Sequence, residues 1–166
     1  VGGQDELVFD GASFILNSDA SLAAQLPRFA ETVALTRWER TASGWKCVQG
    51  SLAPCEEGDR ADYATCVLGL RDYVEKNGFK GVVLGVSGGI DSALCAAIGV
   101  DALGADRVRG VMLPYKFTSQ ESIADAAAVA QALGIRYDIA PIESAVLGLE
   151  TSLAPLFKDL PRDVTE

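Results

Sequence analysis

Two different rhythms of apolar and polar positions run along the chain. At first, apolar residues come in short bursts, Phe14-Ile15-Leu16, then residues 22–26, then Val33-Ala34-Leu35, set off by Asn17-Ser18-Asp19 and Pro27. Bursts of that length between turn-forming residues predict strands of an antiparallel ribbon. Residues 48–58 carry Gly50, Ser51, Pro54, Glu56, Glu57 and Gly58 with no period, which predicts a linker. Beyond it the spacing becomes helical. Asp59 is placed to cap a helix along which Tyr63, Cys66, Val67, Leu70 and Val74 share a face, up to the stop at Asn77-Gly78.

After that helix the pattern alternates. Val82-Val83-Leu84-Gly85-Val86 is a short β-branched run of the kind found in strands buried on both faces. A small-residue helix follows over residues 92–103, then a strand over 108–113 stopped by Pro114. Thr118-Ser119-Gln120-Glu121 has the form of a capping box and opens an Ala-rich helix that closes at Gly134. A third strand is predicted over 135–140, a helix from Glu143 to about Phe157, and the start of another at Asp163-Val164-Thr165-Glu166. Strands alternating with helices imply right-handed βαβ units, hence an α/β fold with a doubly wound parallel sheet. Such sheets bind ligands at the carboxyl ends of their strands.

Composition narrows the chemistry. The chain has 166 residues, about one domain or slightly more, and 49% of them are apolar, enough for a sizeable core. Its formal charge of −9 disfavours a polyphosphate partner, so no nucleic acid is expected. With no His, Ser-His triads, Cys-His dyads and His-ligated zinc are excluded. Cys47, Cys55, Cys66 and Cys95 form no C-x-x-C pair and read as reduced thiols, Cys66 and Cys95 as core residues of the predicted helices. No apolar run approaches the roughly 20 residues of a membrane span, and the N-terminus lacks a signal peptide's features. A cytoplasmic protein without membrane association is expected, and the chain reads as an internal segment of a longer polypeptide.

The most informative residues are Ser87-Gly88-Gly89-Ile90-Asp91-Ser92, between the first strand of the predicted sheet and its helix. Two glycines let the backbone take φ > 0 and let an anion come close, the amides at the helix start point at it, and two serines add hydroxyl donors. A Gly-Gly turn alone would be no more than a tight connection. Here both glycines, both serines and Asp91 coincide at one strand-to-helix junction, which favours a phosphate cradle. It has neither the third Gly of the dinucleotide fingerprint nor the Lys of the Walker loop. A bare Asp91 carboxylate beside phosphate is repulsive, and a bridging Mg²⁺ relieves the conflict.

Ser-Gly-Gly-x-Asp-Ser after a buried strand resembles the loop of the N-type ATP pyrophosphatases, enzymes with an adenine nucleotide alpha hydrolase-like fold. More narrowly, Val1-Gly2-Gly3-Gln4-Asp5-Glu6-Leu7-Val8-Phe9-Asp10-Gly11-Ala12-Ser13 resembles the late part of a nitrilase-type glutaminase domain. The order of that segment, the linker and the loop is that of glutamine-dependent NAD⁺ synthetases. The runs Tyr63-Ala64-Thr65-Cys66-Val67-Leu68-Gly69-Leu70-Arg71-Asp72-Tyr73-Val74, Leu113-Pro114-Tyr115-Lys116-Phe117-Thr118-Ser119 and Arg162-Asp163-Val164-Thr165-Glu166 are similar to the same family.

The resemblance implies three parts: residues 1–48 as the C-terminal part of a nitrilase-like α/β glutaminase domain, 49–58 as the linker, and 59–166 as the N-terminal part of the synthetase domain. It implies a ligase that uses ATP and Mg²⁺ to amidate deamido-NAD⁺, with ammonia from glutamine, and that forms homo-oligomers. ATP would lie on Gly85, Val86, Ser87, Gly88, Gly89, Ile90, Asp91 and Ser92, the metal on Asp91, and the adenosine beside residues 112–117, with Lys116 a candidate nucleotide contact. The family's catalytic Glu, Lys and Cys fall upstream of Val1 and its deamido-NAD⁺ contacts beyond Glu166, so this segment by itself is expected to be inactive. Two alternatives stay open: a related ligase with another acceptor, or a non-catalytic nucleotide-binding or oligomer-forming module.

Overall fold

The structure, a computed structural model, describes residues 1–156. The chain forms two compact units, Val1–Gly81 with Asp101–Gly104, and Val82–Val100 with Ala105 onward. No helix among the described residues is long and apolar enough to cross a membrane.

The first unit holds three separate antiparallel hairpins and a helix. Strands β1 (Gly2–Gln4) and β2 (Leu7–Phe9) turn at Asp5, whose φ is +53°. Strands β3 (Phe14–Leu16) and β4 (Leu22–Gln25) are the predicted pair, and their turn is tied by the Asn17 amide donating to Ser21 O at 2.9 Å. A third hairpin, β5 (Arg37–Thr41) with β6 (Gly44–Gln49), was not anticipated from the sequence, although Trp38, Trp45 and Cys47 fall at alternate positions within it. The predicted strand at Val33-Ala34-Leu35 does not form: it pairs with no strand among the described residues, and Val33 and Leu35 are 95% and 91% exposed.

Residues 50–56, aperiodic in sequence, are bound to β4 through the backbone. The Gln25 amide donates to Ser51 O at 2.8 Å, the Ala53 amide donates to Gln25 O at 2.9 Å, and Leu52 bridges Gln25 in parallel sense. Gly50 crosses β4 so closely that a Cβ there would lie 2.1 Å from Ala23 O. Arg28 ties the far end, paired with Asp10 at 2.7 Å and donating to Glu56 O. Main-chain pairing needs no apolar period, which is why the sequence shows none.

Helix α1 (Asp59–Lys76) starts from Gly58, at φ +56°, and Asp59 is its first residue rather than its cap. Its buried positions are Ala61, Leu68 and Val74; Cys66, expected in the core, is exposed. The face is chosen by close approach to the first hairpin: a Cβ on Gly3 would lie 3.3 Å from Gly69 Cα, and one on Gly69 3.0 Å from Val8. Asp72 secures the contact, accepting from the Gly3 amide at 2.8 Å and pairing with Lys76 at 3.0 Å. At Gly78 the helix closes as a Schellman motif, with Phe79 N–H on Val74 O and Gly78 N–H on Glu75 O.

The second unit is a parallel sheet in the order β7 (Val82–Gly85), β8 (Val108–Met112), β9 (Arg136–Ile139). Helix α2 (Ile90–Leu103) connects β7 to β8 and α3 (Gln120–Leu133) connects β8 to β9, the α/β alternation read from the sequence. Ala96 of α2 and Ala130 of α3 join Val108 and Ile135 in one core cluster, and Val86, Met112 and Ala126 form a second. Both helices therefore cover the same face. On the other face Val83 is 70% exposed and Arg109 donates to Asp138 at 2.6 Å. The run from Val82 to Val86, expected to be buried on both faces, is thus covered on one. Cys95, expected in the core, is exposed on α2.

Helix α3 is capped by Ser119, whose hydroxyl accepts from the Ser122 amide at 3.0 Å, one residue later than the predicted box. Thr118 instead accepts from the Tyr115 amide at 3.1 Å. Helix α4 (Glu143–Leu153) ends before Phe157, which lies outside the described residues, as does the helix start expected at residues 163–166.

Two stability predictions follow from pairings within the units. The hydrogen bond from Lys76, helped by the Gly3 amide against partial burial, holds the Asp72 carboxyl below its ordinary value of 3.8. A lowered folded value adds stability above the unfolded value and loses it on acidification. Asp72→Asn should therefore lower stability by about 1 kcal/mol at pH 7, read as the urea midpoint. The difference should close as pH falls below 3.8. Conversely, the Tyr137 hydroxyl is buried with no hydrogen-bond partner among the described residues, and burial pushes its pKa up. Tyr137→Phe removes that hydroxyl and should raise the stability, read from the same midpoint, by up to about 1 kcal/mol.

Candidate functional site

At the carboxyl end of β7 the chain leaves the sheet by one further bond, the Val86 amide donating to Val111 O at 2.9 Å. Val86 is buried, which anchors the loop that follows. The loop is tied by its own serines. Ser92 Oγ accepts from the Ser87 amide at 3.1 Å and donates to Gly89 O at 2.9 Å, and Ser87 Oγ accepts from the Gly89 amide at 3.3 Å.

The two glycines serve different needs. Gly88 alone has positive φ, +84°, and a Cβ on it would fall 2.4 Å from Ser122 O, so the loop packs backbone to backbone against the first turn of α3. Gly89 is outside the left-handed region, and a Cβ there would meet only Ser87 Oγ, at an ordinary 3.4 Å. The expectation of φ > 0 at both glycines is corrected accordingly. Gly89 O accepts the first helical bond of α2, from Ala93 N–H at 3.2 Å, which puts Gly89 at the cap position. A helix leaves its first amides without partners inside it, and a capping side chain usually takes one. Gly89 has none, unlike Ser119 on α3. Ile90, Asp91 and Ser92 form the first turn of α2, so their amides have no partners inside the helix and stand at the positive end of its dipole.

A cleft of about 450 Å³ opens beside this loop, lined by Gly85, Val86, Ser87, Val111, Met112, Leu113, Phe117, Thr118, Ser119 and Ser122. One side is thus the carboxyl edge of β7 and β8, and the other the turn into α3. Of the predicted residues, Gly85, Val86 and Ser87 line it, while Gly88 packs against Ser122, a lining residue. Gly89, Ile90, Asp91 and Ser92 form the adjoining helix head, with Ile90 79% exposed. Of the stretch 112–117, Met112, Leu113 and Phe117 reach the cleft. Lys116 lies with its Nζ 4.9 Å from the Phe117 ring centroid. Ser119 and Ser122 were missed as lining residues; the capping pattern there was the available signal, since it marks a helix start at the same sheet edge.

Asp91 is exposed in the first turn of α2, where a carboxylate also suits the helix dipole. No group of three or more His, Cys, Asp or Glu that could hold a metal occurs among the described residues. The described residues build no transition-metal site, but Mg²⁺ is commonly held by one or two carboxylates together with substrate phosphates. One carboxylate beside the first-turn amides fits that donor set.

The NAD synthase family model matches residues 63–163. Over its full length the chain is 50% identical to the glutamine-dependent NAD(+) synthetase of Rhodobacter capsulatus and 44% identical to that of Acinetobacter baylyi, and it spans about 30% of the length of each. Among solved structures, the glutamine-dependent NAD⁺ synthetase of Acinetobacter baumannii, in complex with adenosine diphosphate, superimposes with a TM-score of 0.91 at 47% identity, covering 99% of this chain and 31% of that one. More than half of the chain matching one family model, together with these identities, makes it a member of the NAD synthase family.

Proposed function

We propose that the protein carrying this chain is a glutamine-dependent NAD⁺ synthetase, with residues 1–48 as the end of its glutaminase domain, 49–58 as the linker and 59–166 as the start of its synthetase domain. The observation that carries the reading is the head of α2. Its cap position is a glycine that no neighbouring atom requires, beside a cleft at the carboxyl edge of a parallel sheet. Space at Gly89 that the fold leaves open is space an anion can enter. The adenosine diphosphate in the Acinetobacter baumannii relative supports an adenine nucleotide as that anion. Small-molecule substrates, a cytoplasmic setting and homo-oligomers belong to the same reading.

The chemistry needs charge stabilisation more than a protein nucleophile. The nicotinate carboxylate of deamido-NAD⁺ attacks the α-phosphorus of ATP and pyrophosphate leaves. Ammonia then adds to the adenylated carbonyl carbon, the C–O bond to the phosphate breaks so that AMP departs with its electron pair, and the surplus proton passes to solvent. In this chain the amides of Ile90, Asp91 and Ser92 and the Ser87 hydroxyl receive the phosphates. Asp91 is the carboxylate that would hold Mg²⁺, which supplies neutralising charge at the phosphates when bound. The test is exchange of labelled pyrophosphate into ATP by the protein carrying this chain. Exchange dependent on deamido-NAD⁺ is expected, and its absence would refute the reading.

The glycines should separate in that protein. Gly88→Ala places a methyl against Ser122 O at a strained φ and should lower stability by about 1–3 kcal/mol. Gly89→Ala should change the folding stability by no more than about 1 kcal/mol, yet weaken Mg-ATP binding at least tenfold by calorimetry, since the methyl stands in the anion's approach. Asp91→Asn should cut the exchange rate at least tenfold and raise the Mg²⁺ concentration needed for half the maximal rate, with little loss of stability because only a helix-dipole interaction of about 0.3–1 kcal/mol is removed. Unaltered exchange in Asp91→Asn would remove the metal assignment.

A further inference from the structure

We infer that Asn77-Gly78, at the end of α1, is a site of spontaneous covalent modification, held off while the helix end is closed and reactive when that end opens. The Gly78 nitrogen can attack Asn77 Cγ as its proton passes to solvent base. The bond from Cγ to Nδ2 then breaks, the amino group takes up a proton and leaves as ammonia, and a cyclic imide remains. Water adds to either imide carbonyl, and the ring opens to aspartate or to isoaspartate, whose backbone runs through Cγ. A glycine in the second position suits the attack, because it has no Cβ to crowd the nitrogen.

The closed end of α1 blocks each part of that reaction. The Gly78 N–H donates to Glu75 O at 3.1 Å, so the proton that must leave is held in a bond. Asn77 Nδ2, the leaving group, donates to Tyr73 O at 2.7 Å. Asn77 has φ −88° and ψ −2°, and at that ψ the Gly78 nitrogen eclipses the nitrogen of Asn77 itself and is turned away from the side chain. The end is anchored where the Phe79 N–H donates to the O of buried Val74 at 3.0 Å. Its cover is thin, however: Tyr73 and Phe79 meet with ring centroids 6.0 Å apart and are 58% and 50% exposed. Segments with few buried contacts open locally at lower cost than the whole fold. Fraying of the last turn, rather than global unfolding, therefore gates the reaction. The product does not restore the closed end. A carboxylate at position 77 has no N–H for Tyr73 O and stands at the negative end of the helix dipole, and isoaspartate adds a backbone carbon to the connection between α1 and β7.

The test incubates the whole protein at mildly alkaline pH and resolves the tryptic peptide over residues 77–80 into its asparagine, aspartate and isoaspartate forms by chromatography and mass. The native protein should form the modified peptide at least about tenfold more slowly than protein unfolded in urea, as expected for an end that is mostly closed. Well below the unfolding midpoint the native rate should change little with urea, because local opening exposes little surface. Phe79→Ala should raise the native rate severalfold and leave the unfolded rate unchanged, since Phe79 lies outside the reacting pair and only supports the closed end. Equal rates in the folded and unfolded protein would overturn the inference, as would absence of the product from both. A native rate that rises with urea as steeply as global unfolding would overturn the local gate, and that measurement on the unaltered protein stands even if Phe79→Ala fails to fold.

Discussion

The first-turn amides of α2 have no capping side chain among the described residues, because Gly89 holds the cap position, and the path of the loop before them turns on that glycine. A side-chain oxygen at position 89 would close the helix start as Ser119 closes that of α3. The serine oxygens nearby do not cap that turn: Ser92 Oγ donates back to Gly89 O, and Ser87 Oγ accepts from the Gly89 amide, which leaves the Ser87 hydroxyl hydrogen to donate elsewhere. The loop is therefore stiffened by its own hydroxyls without spending the donors of the next turn. Its position is set from outside by Ser122, whose carbonyl lies where a Gly88 side chain would be. The close meeting of the loop with α3 and the openness of the helix head are two results of one backbone path.

The other end of α2 is finished differently. Arg71 Nε donates to Ala102 O at 3.1 Å and its Nη2 to Asp101 O at 3.2 Å, while the Tyr63 hydroxyl reaches Asp101 Oδ2 at 2.7 Å. The terminal carbonyls, which a helix cannot satisfy alone, are met by a cation at the negative end of the dipole. One end of the helix is thus met by side chains of α1, whereas the other has a glycine at its cap.

Legibility in the sequence followed the strength of local signals. The β–loop–α junction was readable because Gly-Gly between a β-branched run and a helix constrains the backbone strongly, and the carboxyl edge of the sheet then located the cleft. What failed was what depends on neighbours. Cys66 has helical spacing with apolar residues, yet the face of α1 was selected by the fit of Gly69 to Gly3 and Val8, a contact that no local window contains. Val33-Ala34-Leu35 has the composition of a strand but no strand to pair with among the described residues. The capping box slipped by one residue because Thr118 and Ser119 are equally able caps, and the turn at Tyr115 claimed the first of them. The different demands of Gly88 and Gly89 cannot be read from composition at all, since both are simply glycine until Ser122 is placed.

Residues 50–56 join two parts of a chain, but they do not behave as a tether. A flexible tether has an effective length that changes slowly with added residues. Here Leu52 is matched to Gln25 and Gly50 to Ala23, so the path is counted residue by residue. One inserted residue would slip the pairing by about 3.3 Å and turn every following side chain to the opposite side. The spacing from Gly50 to Ala53 is accordingly a dimension of the fold, like the length of a strand, and drift within it is something this protein cannot absorb in the way a loose connector would.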